Sequence, residues 1–337
     1  MAKIFTLSEA VTTGDVILKE TELGLTVTHI EPGHYEKLDF DEPIDAVIPE
    51  ALEGVTADDF SFPPNIKYAV VPEGVTEISD GAFARCTSLK EVQLPLTLKE
   101  IDEFAFCDCT SLRKIVIPEG VTENAEDAYT GCDNLQEVQL SSTLKKIDDN
   151  AFSYCTSLRK IVIPEGVTEI SEKAFLDCVN LQEVQLPSTL KKIDDNAFRY
   201  CKSLEKIAIP EGVTEIGGYA FIGCTNLKEL QLPSTLTEIS RYTIKGCVNL
   251  QEVQLPSTLK KIDEEAFRFC SSLKKIVIPE GIVGIGVMSF QGCENLTVQT
   301  PPHLVDQLRD EYKGTSIKIE EYTPNTSVAN DDSGFEL

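Results

Sequence analysis

Cysteines recur along this chain at one fixed interval. Ten of the eleven stand 23 residues apart, and most prolines and phenylalanines follow the same interval. No disulfide framework or catalytic site requires such regularity, whereas a solenoid of stacked repeats does. The chain is therefore predicted to be a solenoid. The ten cysteines are Cys86, Cys109, Cys132, Cys155, Cys178, Cys201, Cys224, Cys247, Cys270 and Cys293.

One copy, residues 158–180, shows how a repeat is predicted to fold. Ile161 and Ile163 alternate with exposed positions, so they point inward while Lys160 points outward. Pro164 ends this strand because proline has no N–H to donate to a ladder. The rest of the copy is predicted to form a return leg and a short helical or tight turn that packs a phenylalanine inward. A single coil buries too few apolar side chains to offset its ordering, so coils must stack and the ends must be capped.

The unit Leu-x-x-Ile-x-Leu-Pro-x-x-Leu-x-x-Ile-x-x-x-Ala-Phe-x-x-Cys-x-x resembles the Treponema-type, or BspA-like, leucine-rich repeat. The resemblance covers about residues 43–297. It implies a right-handed curved leucine-rich-repeat solenoid of about ten to eleven coils, with parallel strands on the concave side and short irregular or strand-like segments on the convex side. It also implies a binding role, often at the surface of bacteria or protozoan parasites.

Both ends of the chain are out of phase with the repeat. Residues 1–42 are predicted to form a β-hairpin cap over the first open edge. Residues 43–65 fit a degenerate first repeat. Residues 298–322 are predicted to form a closing helix and a strand, and residues 323–337 a disordered acidic tail.

Two types of copy alternate along the array, and the alternation slips once. The first type carries Pro-Glu-Gly-Val after the strand and the second carries Pro-Ser-Thr-Leu or a close variant. Pro233 and Pro256 begin consecutive copies of the second type, which indicates the insertion or deletion of a single coil.

Outward positions on the strands are the natural binding surface of such a solenoid. Parallel strands in register would set Lys beside Glu in the third-position column at about 4.8 Å. These pairs either neutralise one another and keep the sheet soluble, or they bind a partner. At the slip Glu229 and Glu252 become neighbours, with Glu205 near them in the second-position column. The resulting acidic spot either docks a basic partner or is an accident of repeat slippage. The third-position column is Tyr68, Glu91, Lys114, Glu137, Lys160, Glu183, Lys206, Glu229, Glu252 and Lys275.

The cysteine column allows three interpretations. Metal binding and a disulfide zipper are possible because neighbouring coils would set these thiols about 5 Å apart. No Cys-x-x-Cys pair is present to begin a zinc site. The favoured interpretation is that each cysteine is a small buried hydrophobe, as the resemblance implies. Cys107 stands in a variable slot and is predicted to be the one reactive thiol.

Two further features have competing explanations. Paired aspartates before the Asn-Ala-Phe segments, such as Asp148 and Asp149, suggest either calcium binding or capping of the following turn, and their spacing favours capping. Asn124 occupies a slot that holds isoleucine in other coils. It marks either a weak joint in the array or a ligand site, and a weak joint is favoured.

Composition excludes several function classes. The net charge of −26 repels nucleic acid and anionic lipid, and no run of about 20 apolar residues could span a membrane. The three histidines lie outside the array, and no nucleophile with a base, phosphate-binding glycine loop or metal cage is present. We therefore expect no catalytic activity, no cofactor and no metal.

The sequence predicts a non-enzymatic scaffold that binds a protein or an extended peptide through the outward strand face. The scaffold is expected to be a monomer. The alternative is a surface adhesin or a secreted, host-directed effector of a bacterium or protozoan parasite. The first residues contain no secretory signal, so the chain as given is expected in the cytoplasm unless it leaves by a leaderless route or has lost a leader.

Overall fold

The computed structural model describes residues 16–21, 24–30, 45–47, 66–71 and 73–322. Within them the chain winds into a solenoid of about eleven turns with little helix, as predicted. Each regular coil contributes one strand to a strand stack, a two-residue strand to a return-leg stack, and a tight turn that leads back to the next coil.

The strand stack runs along the array as four groups of paired, parallel strands. Paired residues lie 23 positions apart, except in the last group, where Lys275 pairs with Thr297 and Thr297 with Lys318. Inward and outward side chains alternate along each strand, because successive side chains of a strand point to opposite faces. Numbered in chain order, its strands are β3 (Asp45–Val47), β4 (Tyr68–Val70), β6 (Glu91–Gln93), β8 (Lys114–Val116), β9 (Glu137–Gln139), β11 (Lys160–Val162), β13 (Glu183–Gln185), β15 (Lys206–Ala208), β17 (Glu229–Gln231), β19 (Glu252–Val253), β21 (Lys275–Val277), β23 (Thr297–Thr300) and β24 (Lys318–Glu321).

The return-leg stack is interrupted. Its strands pair in three parallel groups, and residues 118–140, all of them described, contain no return-leg strand between the first group and the second. The first group is β5 (Glu77–Ile78) and β7 (Glu100–Ile101), the second is β10 (Lys146–Ile147), β12 (Glu169–Ile170), β14 (Lys192–Ile193) and β16 (Glu215–Ile216), and the third is β18 (Glu238–Ile239), β20 (Lys261–Ile262) and β22 (Gly284–Ile285).

The segment that carries the phenylalanine is a tight turn and contains no helix. Its backbone N–H groups donate to carbonyl groups of the next coil, as from Phe106 to Ala128 at 2.8 Å. Two residues of each such turn have positive φ, for example Asn150 at 53° and Tyr154 at 59°. The turns therefore form a third ladder of hydrogen bonds along the array.

Aromatic rings and thiols fill the centre of the solenoid. Phe106, Tyr129 and Phe152 stack with ring centroids 5.4 and 5.2 Å apart. The thiol of Cys132 donates to the carbonyl of Phe106 at 3.2 Å, and the same bond recurs in each following coil of the column. All eleven cysteines lie within the described residues 73–322, and no disulfide joins them. The ten in the column are buried, which confirms the interpretation as small hydrophobes.

The two types of copy fit each other at the turn after the strand. Gly166 of a Pro-Glu-Gly-Val copy has φ of +101°, a conformation that favours glycine. Its N–H donates to the hydroxyl of Thr189 in the next coil at 2.9 Å. The carboxylate of Glu165 accepts bonds from the N–H and the hydroxyl of Ser188, each at 3.0 Å. A Glu-Gly turn is thus completed by the Ser-Thr turn that follows it.

Both ends continue the strand stack. Strands β1 (Val16–Thr21) and β2 (Gly24–Ile30) form an antiparallel hairpin, and β2 pairs with β3. Most of the predicted first repeat and the whole tail 323–337 lie outside the described residues. Helix α1 (Pro302–Glu311) packs over the last coil. Its buried residues Leu304 and Leu308 lie on the same side as Tyr312, whose ring contacts that of Phe290.

Candidate binding surface

The outward side of the strand stack is one extended surface. We call it the strand face and define it as the second, third and fifth positions of each copy. In one copy these are Arg159, which precedes β11, and Lys160 and Val162, which lie within β11. These three side chains are exposed while Ile161 between them is 1% exposed. The face therefore presents polar and apolar side chains at a regular spacing over the length of the array.

The predicted register of the third-position column is confirmed. Lys114 lies beside Glu137 and Lys160 beside Glu183, and each pair forms an ion pair at 2.8 Å. Tyr68 is 42% exposed at the start of the column. Exposed pairs of this kind contribute only about 0.2–1 kcal/mol each to stability.

The slip produces the expected irregularity in this column. Glu229 and Glu252 are in register on adjacent strands. Lys206 and Lys275 flank them, and neither lysine forms an ion pair with a described residue. The four side chains carry a plus–minus–minus–plus pattern that is absent from the regular part of the column.

The second-position column carries basic side chains that were not predicted. The second-position residues directly precede the third-position column in the sequence: Arg113 and Arg159 are exposed, and Lys67 and Lys90 are half-buried. The Lys90 N–H donates to the Lys67 carbonyl at 2.8 Å, and the Arg113 N–H donates to the Lys90 carbonyl at 3.1 Å. None of the four side chains forms an ion pair with a described residue. The 23-residue period alone could have identified this column.

Apolar side chains lie beside the charges. Val116, Val162 and Val277 in the fifth-position column are 37%, 47% and 45% exposed. Glutamines occupy the same position in the coils between them, except for Ala208. Exposed valines next to paired charges give the strand face the mixed character of a protein-binding surface.

The opposite, return-leg side is acidic near the start of the array. Residues 77–80, 100–103 and 123–127 hold eight acidic and no basic side chains. Burial, together with the carboxylates of Glu77 and Glu100, raises the pKa of Asp102 to about 6. An open groove of about 320 Å³ lies here and is lined mainly by carboxylates.

The aspartate column caps backbone groups, but across coils. Asp149 accepts a hydrogen bond from the N–H of Glu172, and Asp195 accepts one from the N–H of Gly218. Each donor lies one coil further on, so the expectation of a cap within the same coil is wrong for these two residues. Across the part of the chain that is described, no group of three or more His, Cys, Asp or Glu is arranged to hold a metal ion.

Asn124 and Tyr129 make the coil of residues 118–140 atypical. Asn124 is fully buried, and neither its amide nitrogen nor its amide oxygen has a hydrogen-bond partner. The hydroxyl of Tyr129 is also buried without a partner. Buried polar atoms without partners are destabilising. Together with the missing return-leg strand, this supports the prediction of a weak joint.

Cys107 is the only cysteine that is not fully buried. Burial, with the carboxylates of Asp108 and Asp127 nearby, raises the pKa of its thiol to about 11. Its reactivity relative to the other ten thiols remains a prediction, and the raised pKa makes that reaction slow at neutral pH.

The BspA type leucine rich repeat region matches residues 53–182 and 191–316 in six copies, so the chain belongs to the BspA-type leucine-rich repeat family. Members of this family are repeat scaffolds and are generally non-enzymatic. No curated protein matches the chain.

The chain is similar to solved structures of bacterial leucine-rich repeat proteins. A leucine-rich repeat protein from Bacteroides ovatus is 23% identical to this chain, with a TM-score of 0.58. The alignment covers 95% of this chain and 92% of that protein. A leucine rich cell surface protein from Faecalibacterium prausnitzii is 24% identical, with a TM-score of 0.48 and coverage of 93% and 94%. None of the described helices is both long enough and apolar enough to cross a bilayer.

Proposed function

We propose that this protein is a non-catalytic scaffold whose strand face binds an extended segment of a partner protein. The partner would lie along the array, across the strands, where it can contact several coils at once. Binding would rest on shape and charge complementarity.

The exposed register of the strand face carries the proposal. Every coil repeats its outward positions on the next strand, so a peptide meets an equivalent position about every 4.8 Å along the array. Long concave or flat surfaces of this kind are what repeat proteins use for binding. The ion pairs on the face are exposed and weak, so a partner can replace them at little cost.

Selection from a displayed library of random peptides tests the proposal. The wild type is compared with a variant that carries Lys114→Glu, Lys160→Glu and Lys206→Glu on the strand face. The matched control carries Lys146→Glu, Lys192→Glu and Lys261→Glu, which makes the same change of charge on the return leg.

Peptides that the wild type and the control retain, and the strand-face variant loses, would support binding at the strand face. The proposal is wrong if the wild type enriches no peptide. It is also wrong if the enriched peptides are lost only from the return-leg control.

A further inference from the structure

The strand face is positively charged although the protein is strongly acidic. The second and third positions of the five coils from Lys67 to Lys160 hold six basic and two acidic side chains, a net charge of +4. The whole chain carries −26. The five coils from Lys67 to Lys160 therefore present a local positive surface.

The positive charge on this surface is mostly unpaired. Lys114 is held by Glu137 and Lys160 by Glu183. Lys67, Lys90 and Arg113 follow one another on three adjacent coils, and no described carboxylate forms an ion pair with them. Like charges in register repel one another, so an anionic partner would gain by neutralising them.

The opposite side of the same coils repels such a partner. The return legs of residues 77–80, 100–103 and 123–127 hold eight acidic side chains without a basic one. A molecule with positive charge on one side and negative charge on the other orients a charged partner as it approaches. An acidic segment is thus directed to the strand face.

Resting on the proposed function, we propose that the partner segment is acidic and binds along the second-position column at Lys67, Lys90, Arg113 and Arg159. The column spans four coil spacings, about 19 Å, which is the length of about six residues of extended peptide. Exposed Val116 and Val162 lie beside it for apolar side chains of the partner. In the third-position column of these coils, Glu137 is paired with Lys114, whereas Glu91 forms no ion pair with a described residue. A partner residue that lies opposite Glu91 would therefore be neutral.

A peptide is favoured over nucleic acid as the source of the anionic groups. A nucleic acid longer than the column would extend over the rest of an acidic protein and be repelled. A short acidic peptide meets only the local positive surface.

Titration with a labelled peptide of about six glutamates tests the inference. A lysine peptide of equal length and a short single-stranded DNA serve as comparison probes. The variant Lys67→Gln, Lys90→Gln, Arg113→Gln should bind the glutamate peptide roughly tenfold more weakly, since three exposed ion pairs of average strength together amount to that factor. The control Lys274→Gln, Lys275→Gln, Lys318→Gln makes the same change of charge on the same face further along the array.

The outcomes separate the inference from the proposed function. The inference is supported if the wild type and the control bind the glutamate peptide, the variant binds it weakly, and binding weakens as added salt shortens the Debye length from about 30 to about 8 Å. An equal loss in control and variant, or tighter binding of DNA or of the lysine peptide, overturns it. If no glutamate peptide binds while library peptides still depend on the strand face, the inference fails and the proposed function stands.

Discussion

Replacing Asn124 by isoleucine should stabilise the protein. The side-chain amide of Asn124 is fully buried, and neither its nitrogen nor its oxygen has a hydrogen-bond partner. A buried polar group without a partner costs about 1–3 kcal/mol of stability. Isoleucine fills the same slot at Ile101 and Ile147, both fully buried, so its side chain suits the site. Adding the burial of an apolar side chain, we expect the free energy of unfolding to rise by about 2–4 kcal/mol.

Thermal unfolding followed by far-ultraviolet circular dichroism measures this change, since the protein has no tryptophan. A melting temperature at least about 4 °C higher is expected from the usual shift per kcal/mol. Asn124→Ala removes the amide without adding apolar volume, and it separates the two contributions. The reciprocal variant Ile147→Asn, which buries an amide one coil further on, should lose about 3–5 kcal/mol.

Hydrogen exchange locates the effect. The N–H of Ala125 donates to the carbonyl of Ile101 at 3.1 Å, and local opening at a weak joint would expose it. This N–H should exchange more slowly in Asn124→Ile. The weak-joint prediction is refuted if the melting temperature is unchanged or lower, or if exchange at Ala125 is unchanged. Either result would show that Asn124 makes a stabilising contact in the wild type.

Three further predictions concern single positions. At pH 8 Cys107 should react with an aromatic disulfide about 100-fold more slowly than a thiol with the ordinary pKa of 9.0. The reaction rate should rise tenfold per pH unit up to about pH 11, and a plateau near pH 9 would contradict the raised pKa. Gly166→Ala should destabilise by more than about 1 kcal/mol, because φ there is +101°, whereas Gly284→Ala, with ordinary φ and open space, should not; equal melting temperatures would contradict this. Hydrogen bonds from Ser188 lower the pKa of Glu165, so in an NMR titration Ser188→Ala should raise that pKa toward its usual value; no change would show that the backbone bond suffices.

The strict period explains how much of the fold was predictable. Once the copies align at 23 residues, the register of Lys160 with Glu183 and the pairing of Glu229 with Glu252 follow from parallel stacking alone. The burial of Phe152 and Cys155 follows in the same way, because a side chain that faces inward in one coil faces inward in the next.

Contacts between coils were harder to predict. The bonds of Glu165 to Ser188 depend on which turn side chains meet, and the sequence shows only that the two types alternate. The tight turn uses positive φ at residues such as Tyr154, where side-chain identity gives no signal. Arg113 and its column were missed because the second position precedes the strand, so the in–out alternation of strand residues does not include it.

The complementary turns set the steps in which this array can change its length. The Glu-Gly turns of residues 119–120 and 165–166 find hydrogen-bond partners in the Ser-Thr turns that follow them, so two coils added or removed together would preserve these contacts. Adding a single coil would not preserve them: at the slip the Thr258 hydroxyl keeps the regular bond to the carbonyl of Leu236 and bonds in addition to the carbonyl of Ser234. The strand face therefore changes length in units of two coils, about 10 Å each, and gene duplication or protein design can extend it by one such unit at a time.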